Sequence, residues 1–272
     1  MAKLTGTSNN DTLTGTNTAD EITGRLGDDV INGGAGNDIL YGDMLIGEEN
    51  ADLVTVISYR NKSGDDVIHG GQGNDKILDY FGKDEDYSVN MLFGDDGNDT
   101  ITGSGTLNGG RGDDTIKVLQ GNVIGGKGND TITTAAANFK YVLSGNDGND
   151  TITGNNILNG GAGDDILTAK DTATLHGGAG DDILKISNMS NILWGNQGND
   201  TFKITADATE VYIKDFMKGQ DHIDLSSFGF NETPEVVSYS NQYVKLDTGQ
   251  DDMNIYVHVM KGQTLTSDDF IF

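Results

Sequence analysis

The chain has few of the residues on which many folds and enzymes depend. Among its 272 residues there is no cysteine and a single proline, Pro234. Without cysteine there is neither a disulfide framework nor a thiol nucleophile, and disulfides give no information on the compartment. Lysine and arginine number 17 against 43 aspartates and glutamates, for a formal charge of −26. This charge argues against nucleic acid and anionic membrane as partners and favours cations.

Long apolar segments are also missing. No apolar stretch follows Met1, and the longest apolar cluster, from Leu53 to Ile57, is far too short to span a bilayer. We therefore expect neither an N-terminal Sec-type signal nor a membrane span.

Sequence motifs for catalysis are not found. There is no HExxH zinc-protease motif and no GxSxG lipase motif. Acidic pairs such as Asp164-Asp165 resemble a glycosidase dyad, but similar pairs recur in several repeats. We predict that the protein is not an enzyme; a catalytic site would have to lie between Asp79 and Leu92 or along an irregular edge. The histidines are scattered without metal-ligand spacing, at His69, His176, His222 and His258.

Glycine is abundant, with 40 residues, and it marks a nine-residue repeat whose clearest copy is GGAGDDILT, Gly160 to Thr168. Glycines at places one, two and four permit a tight bend with positive φ. An aspartate at place six closes the bend, and three residues of short strand follow. Such fixed-period repetition is typical of a solenoid. Clear copies also begin at Gly24, Gly33, Gly70, Gly94, Gly109, Gly125, Gly145, Gly177 and Gly195, and weaker ones end in Asp11, Asp20, Asp52 and Asp66.

The residue two places after each aspartate is always apolar. Stacking successive turns about 4.8 Å apart would bury these side chains in a continuous core between two parallel sheets. No single repeat could bury its apolar residue alone. The predicted core column is Leu13, Ile22, Ile31, Leu40, Val54, Ile68, Ile77, Ile101, Ile116, Ile132, Ile152, Leu167, Leu184 and Phe202.

The same stacking brings the sixth-place aspartates close together. At roughly 5 Å and an effective dielectric constant near 20, each neighbouring pair repels by about 3 kcal/mol. Over many turns this exceeds the ~5 to 15 kcal/mol by which a domain is stable. Carboxylates and glycine-loop carbonyls are hard oxygen ligands, which favour calcium over zinc or copper. The alternative, solvated acidic turns without an ion, leaves the repulsion unbalanced.

The repeat pattern GGxGxDxUx, with U a large aliphatic residue, resembles that of RTX proteins, and the resemblance extends over nearly the whole chain. It implies an all-β, right-handed parallel β-roll, or β-solenoid, that binds multiple calcium ions through GGxGxD loops. In that family the sixth-place aspartate and carbonyls of adjacent loops hold each ion. The corresponding metal ligands here are Asp29, Asp38, Asp66, Asp75, Asp99, Asp114, Asp130, Asp150, Asp165, Asp182 and Asp200.

The spacing of the repeats predicts how the roll, residues 1–204, is organised. From Thr5 to Leu40 the aspartates recur every nine residues, so consecutive loops should lie on opposite edges, and the degenerate repeats in 1–24 suit a cap. From Asp99 to Asp200 there is one clear loop per turn, and short links such as Gly103-Ser104-Gly105 replace the other loop. Between Asp38 and Asp99 the register slips and the edges stay unassigned. We interpret residues 79–92 there as an inserted loop.

Residues 205–272 form a different region. Its DFMKGQDHIDLS string, from Asp215 to Ser226, resembles the end of the roll in RTX proteins, and the alternating runs from Tyr243 and Asn254 predict antiparallel strands in a small β cap. The terminal Ser-Asp-Asp-Phe-Ile-Phe resembles the uncleaved signal of type I secreted bacterial proteins. The resemblance therefore implies export by a type I secretion apparatus.

These features predict a secreted calcium-binding structural protein of the bacterial cell surface or extracellular matrix, folding on calcium and self-associating. A glycan-binding or adhesion module for extracellular polysaccharide is the alternative, since similar rolls accompany alginate-modifying enzymes. Ice binding is a further alternative, because Thr100/Thr102 and Thr131/Thr133 flank the core. However, Lys117 interrupts this threonine array.

Overall fold

The computed structural model describes residues 1–42, 64–79, 90–134, 141–186, 189–229, 234–238, 243–247, 249, 253–260 and 263–272. The weak repeat ending in Asp52 and most of the predicted inserted loop lie outside these ranges. The chain divides into two compact units, Met1–Tyr141 and Val142–Phe272.

The first unit is built from short strands that follow each glycine-rich loop. Three or four residues after each aspartate are enough for one strand before the next loop turns the chain. The strands are β1 (Lys3–Thr5), β2 (Thr12–Thr14), β3 (Glu21–Thr23), β4 (Val30–Ala35), β5 (Ile39–Tyr41), β6 (Val67–Gln72), β7 (Lys76–Asp79), β8 (Met91–Asp96), β9 (Thr100–Arg111), β10 (Thr115–Lys127) and β11 (Thr131–Thr134).

Strands β1 to β7 pair in parallel with the next strand but one, whereas β8 pairs with β9, β9 with β10 and β10 with β11. β1, β3, β5, β7 and β9 form one series, and β2, β4, β6, β8 and β9 form the other. Two nine-residue repeats therefore make one turn from Thr5 to Leu40, as predicted. Both ends of the predicted inserted loop, 79–92, lie in strands, since Asp79 ends β7 and Leu92 is a buried residue of β8 beside Ile68 in register; the insertion itself stays a prediction.

Long strands replace two short strands where the second loop has been lost. Thr100–Gly103 of β9 pairs with β7, and Thr106–Arg111 of the same strand pairs with β8. The chain changes sheets near Gly105, whose φ of +104° an L side chain rarely adopts. The short link predicted at 103–105 is confirmed.

The second unit repeats this architecture and then changes it. Its strands are β12 (Val142–Asp147), β13 (Thr151–Ala162), β14 (Ile166–Ala179), β15 (Ile183–Ile186), β16 (Met189–Gln197), β17 (Thr201–Ile204), β18 (Ala208–Ile213), β19 (His222–Asp224), β20 (Glu235–Ser238), β21 (Tyr243–Asp247), β22 (Asn254–His258) and β23 (Phe270–Ile271). Strands β12 to β19 pair in parallel, with β14 contacting both β15 and β16.

The C-terminal strands combine both pairing directions. β20, β21 and β22 pair antiparallel, as predicted from the alternating runs. β22 also continues the parallel series beside β18, and β23 pairs in parallel with β19. Parallel pairing thus extends beyond residue 204, and the division into 1–204 and 205–272 stays a prediction.

These observations confirm the predicted β-roll class. In the described ranges the helical residues belong to two 3-10 turns, Ser226–Phe228 and Ser267–Asp269. No helix in those ranges has the length and apolarity needed to cross a membrane.

The core consists of two facing apolar columns. The predicted apolar residues are divided between them, because Ile31 and Ile68 align with Leu92 and Leu107 on the second strand series. From Ile22 to Phe202 every described residue of the predicted set is fully buried; Leu13, near the N-terminus, is partly exposed, and Val54 lies outside the described residues. Leu107, Leu158 and Leu193 on the facing strands are equally buried. Each such side chain stabilises the fold by roughly 1.5 to 3 kcal/mol relative to an exposed one.

We expect Leu167→Ala to lower the free energy of unfolding by about 2 to 5 kcal/mol, because it leaves a cavity between Ile152 and Leu184. Urea denaturation in saturating calcium measures the change. Thr151→Ala, at an exposed position of the same sheet, should change it by less than about 0.5 kcal/mol. Similar losses in both variants would contradict this description of the core.

Candidate metal centre

The sixth-place aspartates form a column in each unit, which we name the main column. In it the backbone N–H of each aspartate donates to Oδ1 of the aspartate one turn later, at 2.6 to 3.0 Å. Each carboxylate therefore links two turns. The predicted ligands in this column are Asp38, Asp75, Asp99, Asp114 and Asp130 in the first unit and Asp150, Asp165, Asp182 and Asp200 in the second.

A second column lies in the loops that precede β2, β4, β6 and β8. Asp11 N–H donates to Asp29 Oδ1, Asp29 N–H to Asp66 Oδ1, and Asp66 N–H to Asn90 Oδ1. These bonds assign the edges that the sequence left open between Asp38 and Asp99. Insertions of different length obscured the alternation, since 43–65 separate Gly42 from Asp66 whereas 25–28 separate Gly24 from Asp29.

Only one oxygen of each carboxylate is used in this way. Oδ2 is buried and has no hydrogen-bond donor in Asp29, Asp38, Asp66, Asp75, Asp99, Asp114, Asp165 and Asp182. A buried carboxylate oxygen without a partner is costly, and a bound cation is one way to satisfy it.

Burial raises the pKa of these carboxyls, while the bond from the preceding aspartate N–H lowers it and neighbouring aspartates raise it further. The pKa rises to about 6 for Asp29, Asp99 and Asp200. It rises to about 7 for Asp66, Asp75, Asp114 and Asp165, and to about 8 for Asp182. For Asp38 the pKa is also raised, again mainly by burial.

The first glycine of each loop keeps space open beside Oδ2. A Cβ added at Gly160 would overlap Asp165 Oδ2 and lie 2.5 Å from the carbonyl oxygen of Gly177. Gly177 stands in the same relation to Asp182 Oδ2 and the Gly195 carbonyl, 2.7 Å away. A carboxylate oxygen and a backbone carbonyl of the next turn thus border one small space that any larger residue would fill.

The oxygen atoms that border these spaces fit calcium as a ligand set. Carboxylate and carbonyl oxygens are the ligands of hard cations, and flexible loops suit calcium better than magnesium. Among the described residues no three His, Cys, Asp or Glu side chains converge on a point. Backbone carbonyls from neighbouring loops would therefore complete each coordination shell. His69, which pairs with Asp95 at 3.0 Å, and His176, which stacks on Trp194, lie outside the columns.

The degenerate N-terminal loops satisfy Oδ2 without an ion. Oδ2 of Asp20 accepts from the Thr16 N–H at 2.6 Å and the Thr16 hydroxyl at 2.7 Å. Thr7 forms the same pair of bonds to Asp11. Bonds from the Ala2 N–H and then from Thr16 lower the pKa of Asp20, whereas burial raises the pKa of Asp38 on the next turn. Threonine at place two therefore marks a loop that needs no cation.

Sequence reasoning missed Asp221, the last member of the column in the second unit. Its Oδ1 accepts from the Asp200 N–H at 3.0 Å, and its Oδ2 accepts from the Met217 N–H at 2.7 Å. The Gly-x-Asp-x-Ile spacing from Gly219 to Ile223 is that of the repeats and could have identified it. Like Asp20, it ends the column with a protein donor on Oδ2.

The fifth-place residues form an outer, exposed series that sequence analysis also overlooked. Asn98 N–H donates to Asn74 Oδ1, Asp113 N–H to Asn98 Oδ1, and Asn129 N–H to Asp113 Oδ1. Only an Oδ1 acceptor is needed here, which both asparagine and aspartate provide. This explains why both asparagine and aspartate occur at place five. Each asparagine there lowers the negative charge of the loops relative to an aspartate.

Comparison with known families agrees with this geometry. The RTX calcium-binding nonapeptide repeat family (four copies) matches residues 5–40, 62–84 and 88–116. The peptidase M10 serralysin C-terminal family matches residues 104–268, which is more than half of the chain. No curated protein sequence shows significant similarity to the chain.

We expect the calcium-free fold to become less stable as pH rises. The folded carboxyls hold protons up to their pKa of about 6 to 8, whereas unfolded aspartates lose them near pH 4. Between these values the folded state binds more protons, so its stability falls with increasing pH. In excess chelator, circular dichroism should show more β structure at about pH 5 than at about pH 8. A signal that instead grows with pH would contradict the assignment.

We expect Asp165→Asn to raise the calcium concentration at half-folding by roughly tenfold, since it removes a charged ligand oxygen. The matched change Asp20→Asn should have little effect, because Thr16 already satisfies Asp20. Calcium titrations followed by circular dichroism compare the two. Equal shifts would show that the threonine loops bind ions like the others.

Proposed function

The chain belongs to the RTX calcium-binding repeat proteins, and from this we propose that it is a secreted structural protein that folds on calcium. We propose the bacterial cell surface or extracellular matrix as its location and self-association as its mode of action. The observation that carries the proposal is the set of buried carboxylates whose Oδ2 atoms have no donor.

Folding should depend on calcium because the ion-free columns are electrostatically unfavourable. Asp150, Asp165 and Asp182 lie on successive turns. In addition to burial, the charge of Asp150 raises the pKa of the Asp165 carboxyl, and the charge of Asp165 raises that of Asp182. Binding of calcium to the folded chain alone shifts the equilibrium toward folding by mass action. A chain held unfolded where calcium is scarce could pass through a secretion channel and fold outside.

The C-terminal residues support this order of events. Phe270 is 7% exposed within the parallel pair of β23 and β19, and Asp269 is buried beside Lys218, 3.5 Å away. A secretion apparatus that reads these residues would have to do so before the second unit folds. We propose that export precedes calcium-driven folding for this reason.

Self-association is supported by an exposed apolar row on the second unit. Val142, Ile157 and Ile192 share one outward column and are each 37 to 40% exposed. Thr174 lies between Ile157 and Ile192 in this column. Exposed apolar side chains grouped on one face are characteristic of interaction sites. Bound calcium would reduce the repulsion that a charge of −26 imposes on association.

A second candidate function, glycan binding, rests on aromatic side chains of the same face. Tyr212 stacks on Tyr256 at 4.9 Å, and Lys214 Nζ lies 4.5 Å from the Tyr212 ring. His176 and Trp194 stack on adjacent rungs. Amphipathic aromatic groups beside a cation suit a polyhydroxylated, acidic ligand.

We expect the chain to be largely unordered in excess chelator and to gain β structure cooperatively when millimolar calcium is added. Circular dichroism measures folding, and light scattering of the same samples should show particles larger than a monomer. A full β spectrum in chelator at neutral pH would refute calcium-coupled folding.

A calcium-folded chain that stays monomeric at high concentration would refute the assembly role. A glycan array then tests the second candidate, with Trp194→Ala as the variant and Thr151→Ala, on the other sheet, as its control. Polysaccharide turnover by the calcium-loaded protein would contradict a purely structural role.

A further inference from the structure

One buried aspartate lies where the repeat otherwise has its first glycine. On the edge of the second column, the register places Thr23 beside Tyr41 and Tyr41 beside Leu78. The next residues on these strands are Gly24, Gly42 and Asp79, and Asp79 in turn pairs with Gly103. Asp79 therefore introduces a carboxylate into a column of glycines.

The Asp79 side chain approaches the carboxylate of Asp66. A Cβ added at Gly42 would overlap Asp66 Oδ2 and would lie 3.0 Å from Cγ and 3.2 Å from Oδ1 of Asp79. Two carboxylate groups thus border one small space beside Gly42. At the equivalent place in the main column, beside Gly160, a carboxylate and a backbone carbonyl do so.

Burial makes this pair of charges significant. Asp66 is 0% and Asp79 1% exposed, and Asp66 Oδ2 has no hydrogen-bond donor. Two carboxylates that border one small buried space repel strongly unless a cation or a proton lies between them. The two negative charges of the pair would be balanced by one divalent cation.

We propose that Asp79 is a second carboxylate ligand of the calcium ion held by Asp66, and that this ion is the most tightly bound of the second column. The inference rests on the proposed role of the aspartate columns in calcium binding. A higher ligand charge tightens calcium binding.

Calcium binding to the full chain by isothermal titration and chelator competition tests the proposal. Asp79→Asn removes the charge at nearly constant size, and Asp79→Gly restores the repeat pattern. Both variants should lower the affinity for one tightly bound calcium ion by about tenfold or more, while the β spectrum in saturating calcium stays unchanged. In the Asp66→Asn background the Asp79 changes should have little further effect, because both residues serve one ion.

The controls separate this inference from the proposal on which it rests. Asp165→Asn, in the second unit, should lower the affinity for a different calcium ion. It should not alter the loss of affinity that the Asp79 variants cause. If Asp66→Asn and Asp165→Asn weaken calcium binding and both Asp79 variants bind as the unmodified chain does, the role of Asp79 is overturned and the columns stand. If none of these variants changes calcium binding, the calcium columns fail and the inference fails with them.

Discussion

The structure depends on a hydrogen bond from the backbone of one turn to the carboxylate of the next. Asp165 N–H donates to Asp182 Oδ1, and the same bond recurs along both units. The bond fixes the spacing of the turns, and it leaves Oδ2 of most carboxylates buried without a donor. A single contact therefore both stacks the repeats and creates the demand for cations. An ion that binds such a column only in the folded state adds its binding free energy to the stability of the fold.

At the first turn of the first unit and the last turn of the second, the protein itself meets this demand. Thr16 donates twice to Asp20, and the Met217 N–H donates to Asp221. In the second column the Asn90 side chain accepts the bond from the Asp66 N–H, and its amide carries no negative charge. Threonine, a loop amide and asparagine are three local replacements for an ion. Each preserves the Oδ1 bond of its own turn without leaving an unpartnered charge there.

Much of the fold could be predicted because a repeat states the same physical requirement many times. The apolar residue two places after Asp114 or Asp165 predicted the core, and the stacking of the main column followed from its period. The second column was obscured because insertions altered its spacing between Gly42 and Asn90. Asp79 left no motif at all, since its significance depends on which strand β7 lies beside. Contacts between distant residues were therefore the part that the sequence pattern did not contain.

The loss of the second loop after Asp99 shows how the two columns differ in importance. β9 crosses between the sheets through Gly105 without an aspartate, and its two halves still pair in register with β7 and β8. Backbone hydrogen bonds and the buried pair of apolar columns are thus sufficient to align that edge. The main column persists on the other edge. There the Asp99 N–H donates to Asp114 Oδ1, and Oδ2 of both residues is buried without a donor. One carboxylate per turn is enough to make each turn's stability depend on its neighbours, because every Oδ1 bond and every shared loop space joins two turns.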